Sequence, residues 1–248
     1  MSLDTAGTQG YHNANPPSGD FSVMGWILPS NIAGAANFFG VGTSTPGDRT
    51  AAGLNPSEQV LGIHNGNFTS ALFTENYGGT WRYLLLTYQV EDVGNDGVLT
   101  IKYLDDGDTS FQATQTLTSQ TDPTRSSILV NTSRNDTFGV GSDSIIAFVK
   151  YTTGIISDAD ALTEREYRHN QTGSEHATYK FASGALTTDE SSNGYTLIGL
   201  GSGGVYSSSE PSAILGDDPP PPEEGGGPPQ YNHVESERAN VSVFMRER

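Results

Sequence analysis

The chain has no cysteine, and only 12 of its 248 residues are Lys or Arg. The first absence excludes disulfides and thiolate metal sites. The second, against 29 acids and a net charge of −17, excludes the basic surface that a nucleic-acid backbone requires. No run of 18 apolar residues occurs, so membrane insertion is not expected. The first residues, Met1-Ser-Leu-Asp-Thr-Ala-Gly-Thr8, have neither a basic flank nor an apolar core, so no secretory signal is expected there. Hydrophobic residues make up only 34%, while 30 glycines and 13 prolines imply many turns and few long helices.

What is present is alternation. Around the centre, residues 83–90 alternate Tyr83, Leu85, Thr87 and Gln89 against Leu84, Leu86, Tyr88 and Val90. These residue types suit a pleated surface. Glu91-Asp-Val-Gly-Asn-Asp-Gly97 then reverses the chain, and Val98-Leu-Thr-Ile-Lys-Tyr-Leu104 alternates again before the turn Asp105-Asp-Gly107. The pattern predicts an antiparallel hairpin inside a sheet. Residues 19–29 carry bulk on both faces, Phe21, Val23 and Ile27 against Met24, Trp26 and Leu28, which predicts a strand buried between two layers. Further strands are predicted at residues 36–42, 60–63, 69–73, 110–117, 128–130, 137–141 and 144–151. Asn65-Gly66 marks a two-residue hairpin. One helix is predicted after residue 157, with Ser157 and Thr163 as alternative N-caps, Thr163-x-x-Glu166 having capping-box spacing, and an end near residues 170–173.

Trp81 before an apolar strand, a loop, and a Tyr103-Leu-Asp-Asp-Gly107 strand end resemble the laminin-G-like branch of the concanavalin A-like lectin/glucanase superfamily. Asp20-Phe-Ser-Val-Met-Gly-Trp-Ile-Leu-Pro29 resembles that family's first long strand. Phe138-Gly-Val-Gly141, residues 145–151 and Leu162-Thr-Glu-Arg-Glu-Tyr167 resemble its last strands and terminal helix. The match covers residues 10–170, and extends to 206 if residues 176–206, re-ordered relative to the family, are counted. The resemblance implies an all-β fold: a two-sheet antiparallel jelly-roll sandwich over residues 1–216, with one short helix. Residues 176–206 are expected to fold back as an edge of their own sandwich, the alternative being a neighbouring subunit. It speaks for fold rather than function.

Residues 217–248 differ in composition. Asp217-Asp-Pro-Pro-Pro-Pro-Glu-Glu-Gly-Gly-Gly-Pro-Pro229 reads as a linker leading to a C-terminal arm. Such an arm cannot recover its ordering entropy by packing on itself, so it is expected to lie on a neighbouring subunit through Val241, Val243 and Phe244.

Chemistry is sparse. The glucanases of this fold use carboxylates spaced along one strand as Glu-x-Asp-x-x-Glu, and that pattern is absent. His12, His64, His169, His176 and His233 show no metal-ligand or base–nucleophile spacing. No glycine-rich phosphate loop follows a strand and opens a helix. Enzyme activity is therefore not expected. No cofactor is expected either, apart from calcium, for which the turn residues Asn95, Asp96, Asp105, Asp106 and Asp108 are candidate ligands; the same residues are what turns demand anyway. Glycan binding would use exposed aromatics beside amides, with Tyr77, Asn76 and Tyr11 as candidates. Trp26 and Trp81 are assigned to the core. The functional expectation is a non-enzymatic, oligomeric structural protein of a large assembly, a phage or virus particle. It would sit at the virion surface as a capsid decoration, tail or fibre component, with neighbouring subunits and a cell-surface glycan as partners. The alternative is an extracellular carbohydrate-binding lectin-like module, and a glycoside hydrolase is a distant third.

Overall fold

A computed structural model describes residues 2–4, 10–31, 36–43, 45, 48–54, 59–74, 79–90, 97–122, 125–133, 143–172, 174–181, 187–200, 205–207 and 209–216. The strands run in chain order. They are β1 Ser2–Asp4, β2 Gly10–Asn13, β3 Phe21–Asn31, β4 Ala36–Gly42, β5 Arg49–Leu54, β6 Gln59–His64, β7 Asn67–Phe68 and β8 Phe73–Thr74. There follow β9 Arg82–Gln89, β10 Gly97–Asp105, β11 Ala113–Gln120, β12 Ser127–Ser133 and β13 Asp143–Thr153. After helix α1, Asp158–Glu164, come β14 Ser174–Tyr179, β15 Ile198–Leu200 and β16 Val205–Ser207.

The strands form two antiparallel sheets. One has the order β11-β10-β9-β3-β13-β1-β16, with β14 also on β13; the other has the order β15-β2-β12-β4-β5-β6-β7, with β8 also on β6. Stacked face to face, they make the jelly-roll sandwich that the resemblance implies. The central hairpin pairs Val98 with Gln89 and Asp105 with Arg82 in unbroken register. Asn65 and Gly66 take φ of +46° and +80°, the backbone that a two-residue turn between β6 and β7 demands. The described strands of the 176–206 segment fold back in cis: β14 joins β13, β15 joins β2 and β16 joins β1.

Two apolar layers hold the sandwich. Between the sheets lie Phe21, Val23, Ile27, Leu84, Leu86, Tyr88, Leu99 and Ile101, against Phe39, Val41, Ala52, Leu54, Val60, Ile128 and Val130. The Tyr151 hydroxyl spans the layer, accepting from Gly40 N at 3.2 Å and donating to Leu129 O at 2.8 Å. Gly25 permits the close approach of β3 to β13, because a Cβ there would sit 2.4 Å from the Phe148 carbonyl.

The second layer corrects the reading of residues 19–29. Met24 and Trp26 do not face the partner sheet. They pack outside the first sheet with Trp81, Tyr83, Leu85, Leu104 and Phe148, beneath Ile156 and Ala161. A short helix and its flanks, not a second sheet, cover the other face of β3. The aromatic tips dock this cover: Trp26 Nε1 donates to Arg165 O at 2.8 Å and Tyr83 Oη to Ala161 O at 3.0 Å.

The helix starts where Ser157 accepts from Asp160 N, at 3.1 Å, and ends at Glu164. Ser157 is thus the cap. Thr163 sits in the last turn, its hydroxyl donating to Ala159 O at 3.3 Å. The helix stops at Glu164 rather than near residue 170, and the Glu164 side chain turns inward onto Lys150. The two fully buried side chains meet at 2.6 Å, and Lys150 Nζ also donates to Glu164 O and His169 O at 2.9 and 2.7 Å. Glu164 Oε1 accepts from Gln171 N at 2.7 Å, Thr172 Oγ1 at 2.8 Å and Thr172 N, so the pair is satisfied on both sides. Burial pulls the Lys150 ammonium down to about 8, with Glu164 opposing.

Candidate functional site

Two chain breaks visible in the sequence, Asn15-Pro-Pro-Ser-Gly19 and Asp122-Pro-Thr-Arg125, meet at one end of the sandwich. Pro16, Pro17, Ser18, Gly19, Val90, Asp122 and Arg125 line a cleft of about 430 Å³ between them.

Each wall is fixed locally. The Asn13 carboxamide accepts from Asn15 N at 2.9 Å and donates to Thr196 O at 2.7 Å, which sets the first wall against the loop preceding β15. Prolines stiffen it, and Gly19 at φ +66° turns it into β3. Asp20 Oδ1 accepts from Val90 N at 2.8 Å, tying the end of β9 beside it. Arg125 forms the floor. One of its Nη atoms donates to Pro17 O at 3.1 Å and Gly19 O at 2.6 Å, and the guanidinium carbon lies 5.0 Å from the Phe21 ring centre and 5.5 Å from that of Tyr88. Desolvation lowers its pKa from the ordinary arginine value.

The second wall hangs on a buried relay. Thr121 O is an acceptor only, so His64 Nε2, 2.8 Å away, carries the proton, and His64 Nδ1 accepts from Thr50 Oγ1 at 2.9 Å. The imidazole stacks on Tyr88 at 4.9 Å with 12° between planes. The Tyr88 hydroxyl lies 3.2 Å from Asp122 Oδ1 and 3.3 Å from Thr121 O. Desolvation lowers the His64 pKa, outweighing the Thr121 hydrogen bond and the Asp122 charge, which raise it. The stacked His64 and Tyr88 therefore fix Thr121 and set the Tyr88 hydroxyl against the exposed Asp122 carboxylate. Apolar Pro and Val walls, a carboxylate acceptor and a fixed cationic floor can cradle a small polar ligand that has an apolar face.

The sequence-predicted residues fall elsewhere. Tyr11 is 2% exposed and belongs to the core between the sheets, so its ring cannot serve as a surface platform. Asn76 and Tyr77 lie outside the described residues. Just before them Phe73, half-buried, packs on Tyr103 at 4.6 Å with the Arg82 guanidinium 4.2 Å from its ring centre. Asn95 and Asp96 also lie outside the described residues.

Asp105, Asp106 and Asp108 share the turn after β10, but their carboxylates engage protein donors. Asp105 pairs with Arg82 Nε at 2.9 Å, Asp108 accepts from Asp105 N at 3.2 Å and from Gln112, and Asp106 accepts from Ser212 N at 2.7 Å and Ala213 N at 2.9 Å. Among the described residues no group of three or more His, Cys, Asp or Glu could hold a metal ion. Val241, Val243 and Phe244, with residues 137–141, lie outside the described residues. Trp26 and Trp81 are both buried in the outer layer, as assigned from the sequence. Sequence reasoning missed Val90, Asp122 and Arg125, although the two proline-bearing breaks were its signal.

No family model matches the sequence, and no curated protein does. Among solved structures, the chain is similar to a proposed carbohydrate binding protein from Bacteroides ovatus, at 11% identity and a TM-score of 0.48, covering 81% of this chain and 59% of that one. It is also similar to the Ruminococcus gnavus IT-sialidase CBM40, at 9% identity and a TM-score of 0.43, covering 65% of this chain and 95% of that one. A third is the Trypanosoma rangeli sialidase, at 13% identity and a TM-score of 0.43 over 59% of this chain. The chain spans only 22% of that sialidase's length.

Proposed function

We propose that this chain is a non-enzymatic carbohydrate-binding module of the laminin-G-like kind that holds its ligand in the cleft between residues 16–19 and the side chains of Asp122 and Arg125. The observation that supports it is the lining itself. Pro16 and Val90, each half-buried, offer apolar surface to a sugar ring, and Asp122 offers an exposed acceptor to its hydroxyls. Glycoside hydrolysis places two carboxyl groups across the scissile bond, whereas Asp122 is the lone carboxylate among the described lining residues. The virion role expected from the sequence has no support among the described residues.

Binding of the full chain to a printed oligosaccharide panel, followed by titration of each hit in solution, tests the proposal. Retention of at least one oligosaccharide, with loss of binding in Asp122→Ala, is expected. A panel without a hit, or hits that Asp122→Ala leaves intact, would overturn it.

A further inference from the structure

We infer that the cleft selects neutral glycans and rejects acidic ones, with Arg125 acting as a fixed frame rather than an anion anchor; this rests on the binding reading above. An arginine in a cleft ordinarily suggests a carboxylate or phosphate ligand, through its two-pronged donor geometry. Here the guanidinium commits one of its Nη atoms to the fold. It closes the 16–19 bend by donating to Pro17 O and Gly19 O, and Phe21 and Tyr88 lie against it.

Charge around the floor points the same way. Asp122 lines the cleft, and Asp20, which stands beside Gly19 and holds Val90, also acts on the Arg125 charge, so two carboxylates offset one guanidinium. The site carries about one net negative charge on a chain of net charge −17. A second carboxylate brought in on a ligand would meet like charge at the rim and across the whole surface. Ligand hydroxyls meet no such barrier, and Asp122 accepts from them.

The test uses the full chain and two matched probe sets: neutral hexose oligosaccharides, and oligosaccharides of the same length bearing a uronate or sialic acid. Each is titrated at low and at high salt. Neutral probes should bind about tenfold more tightly than their acidic counterparts at low salt, the scale of one like-charge contact near a protein surface. High salt should narrow the gap. Asp122→Asn, which removes one charge and keeps the shape, should bring the two sets to within about twofold of each other.

Ser18→Trp, which fills the cleft without touching its charges, should abolish binding of both sets while the melting temperature stays that of the parent. Acidic probes bound more tightly than neutral ones would overturn the inference and leave the binding reading standing. Binding of neither set would overturn the binding reading itself. Binding unaffected by Ser18→Trp would place the ligand elsewhere and overturn both.

Discussion

His64 shows how one buried group supports the cleft. It is fully buried on β6, stacked on Tyr88, with both ring nitrogens engaged. Burial lowers its folded pKa below the ordinary imidazole value, so on acidification the unfolded chain takes up a proton before the folded chain does. The stability from this site is complete above about pH 6.5 and is lost as pH falls below it toward the folded pKa. Urea midpoints measured between about pH 7 and pH 5 should therefore fall in the parent and fall less in His64→Gln. Equal slopes in the two proteins would show that the imidazole is not held neutral.

Little of this residue's role was legible beforehand. His64 occupies a strand end beside Asn65-Gly66, and nothing local reveals that Thr121 lies opposite it. Tyr11 failed for the same reason: it stands in a polar stretch with no apolar alternation to mark β2, and at 2% exposure it faces the core.

At the scale of elements, strands were legible wherever β-branched, aromatic and aliphatic residues run unbroken between turn signals. The central hairpin, β3, β13 and the Asn65-Gly66 turn all stand where the pattern put them. The helix was legible as a helix but not in its limits. Ser157 and Thr163 carry equally good cap chemistry, and the choice is made by tertiary contacts: Trp26 and Tyr83 dock the turn around residues 161–165, and Lys150 takes Glu164. Ser157→Ala should cost about 1 kcal/mol in chemical denaturation, because it leaves the Asp160 amide without its cap. Thr163→Ala should be nearly neutral, since its hydroxyl only returns to the carbonyl one turn back. A reversed order of effects would mean that the helix begins at residue 164.

The cleft was legible only as two interruptions. Proline-bearing breaks say where strands stop; that residues 16–19 and 122–125 meet is decided by β2 pairing with β12 and by Arg125 bridging the gap.

At the scale of the whole molecule, the sandwich carries a third layer on one side only. Residues 211–216 close that layer: Asp106 accepts from Ser212 and Ala213 amides, Leu215 N donates to Glu166 O at 2.8 Å, and Arg168 N to Gly216 O at 3.0 Å. The Pro/Gly-rich tail begins directly after. Its composition gives it no core of its own, so deleting residues 217–248 should leave the melting temperature nearly unchanged. If the tail serves assembly, light scattering should show smaller particles after the deletion. A large drop in melting temperature would mean that the tail completes the fold.

We propose that this molecule meets a carbohydrate at the cleft lined by residues 16–19, Val90, Asp122 and Arg125. Backbone amide NMR of the full chain, titrated with an oligosaccharide that it retains, tests this most directly. The expected result is saturable shifts concentrated at Ser18, Gly19, Val90, Asp122 and Arg125, absent in Ser18→Trp. Shifts centred instead on Phe73, Arg82 and Tyr103, with the cleft amides unmoved, would contradict the claim.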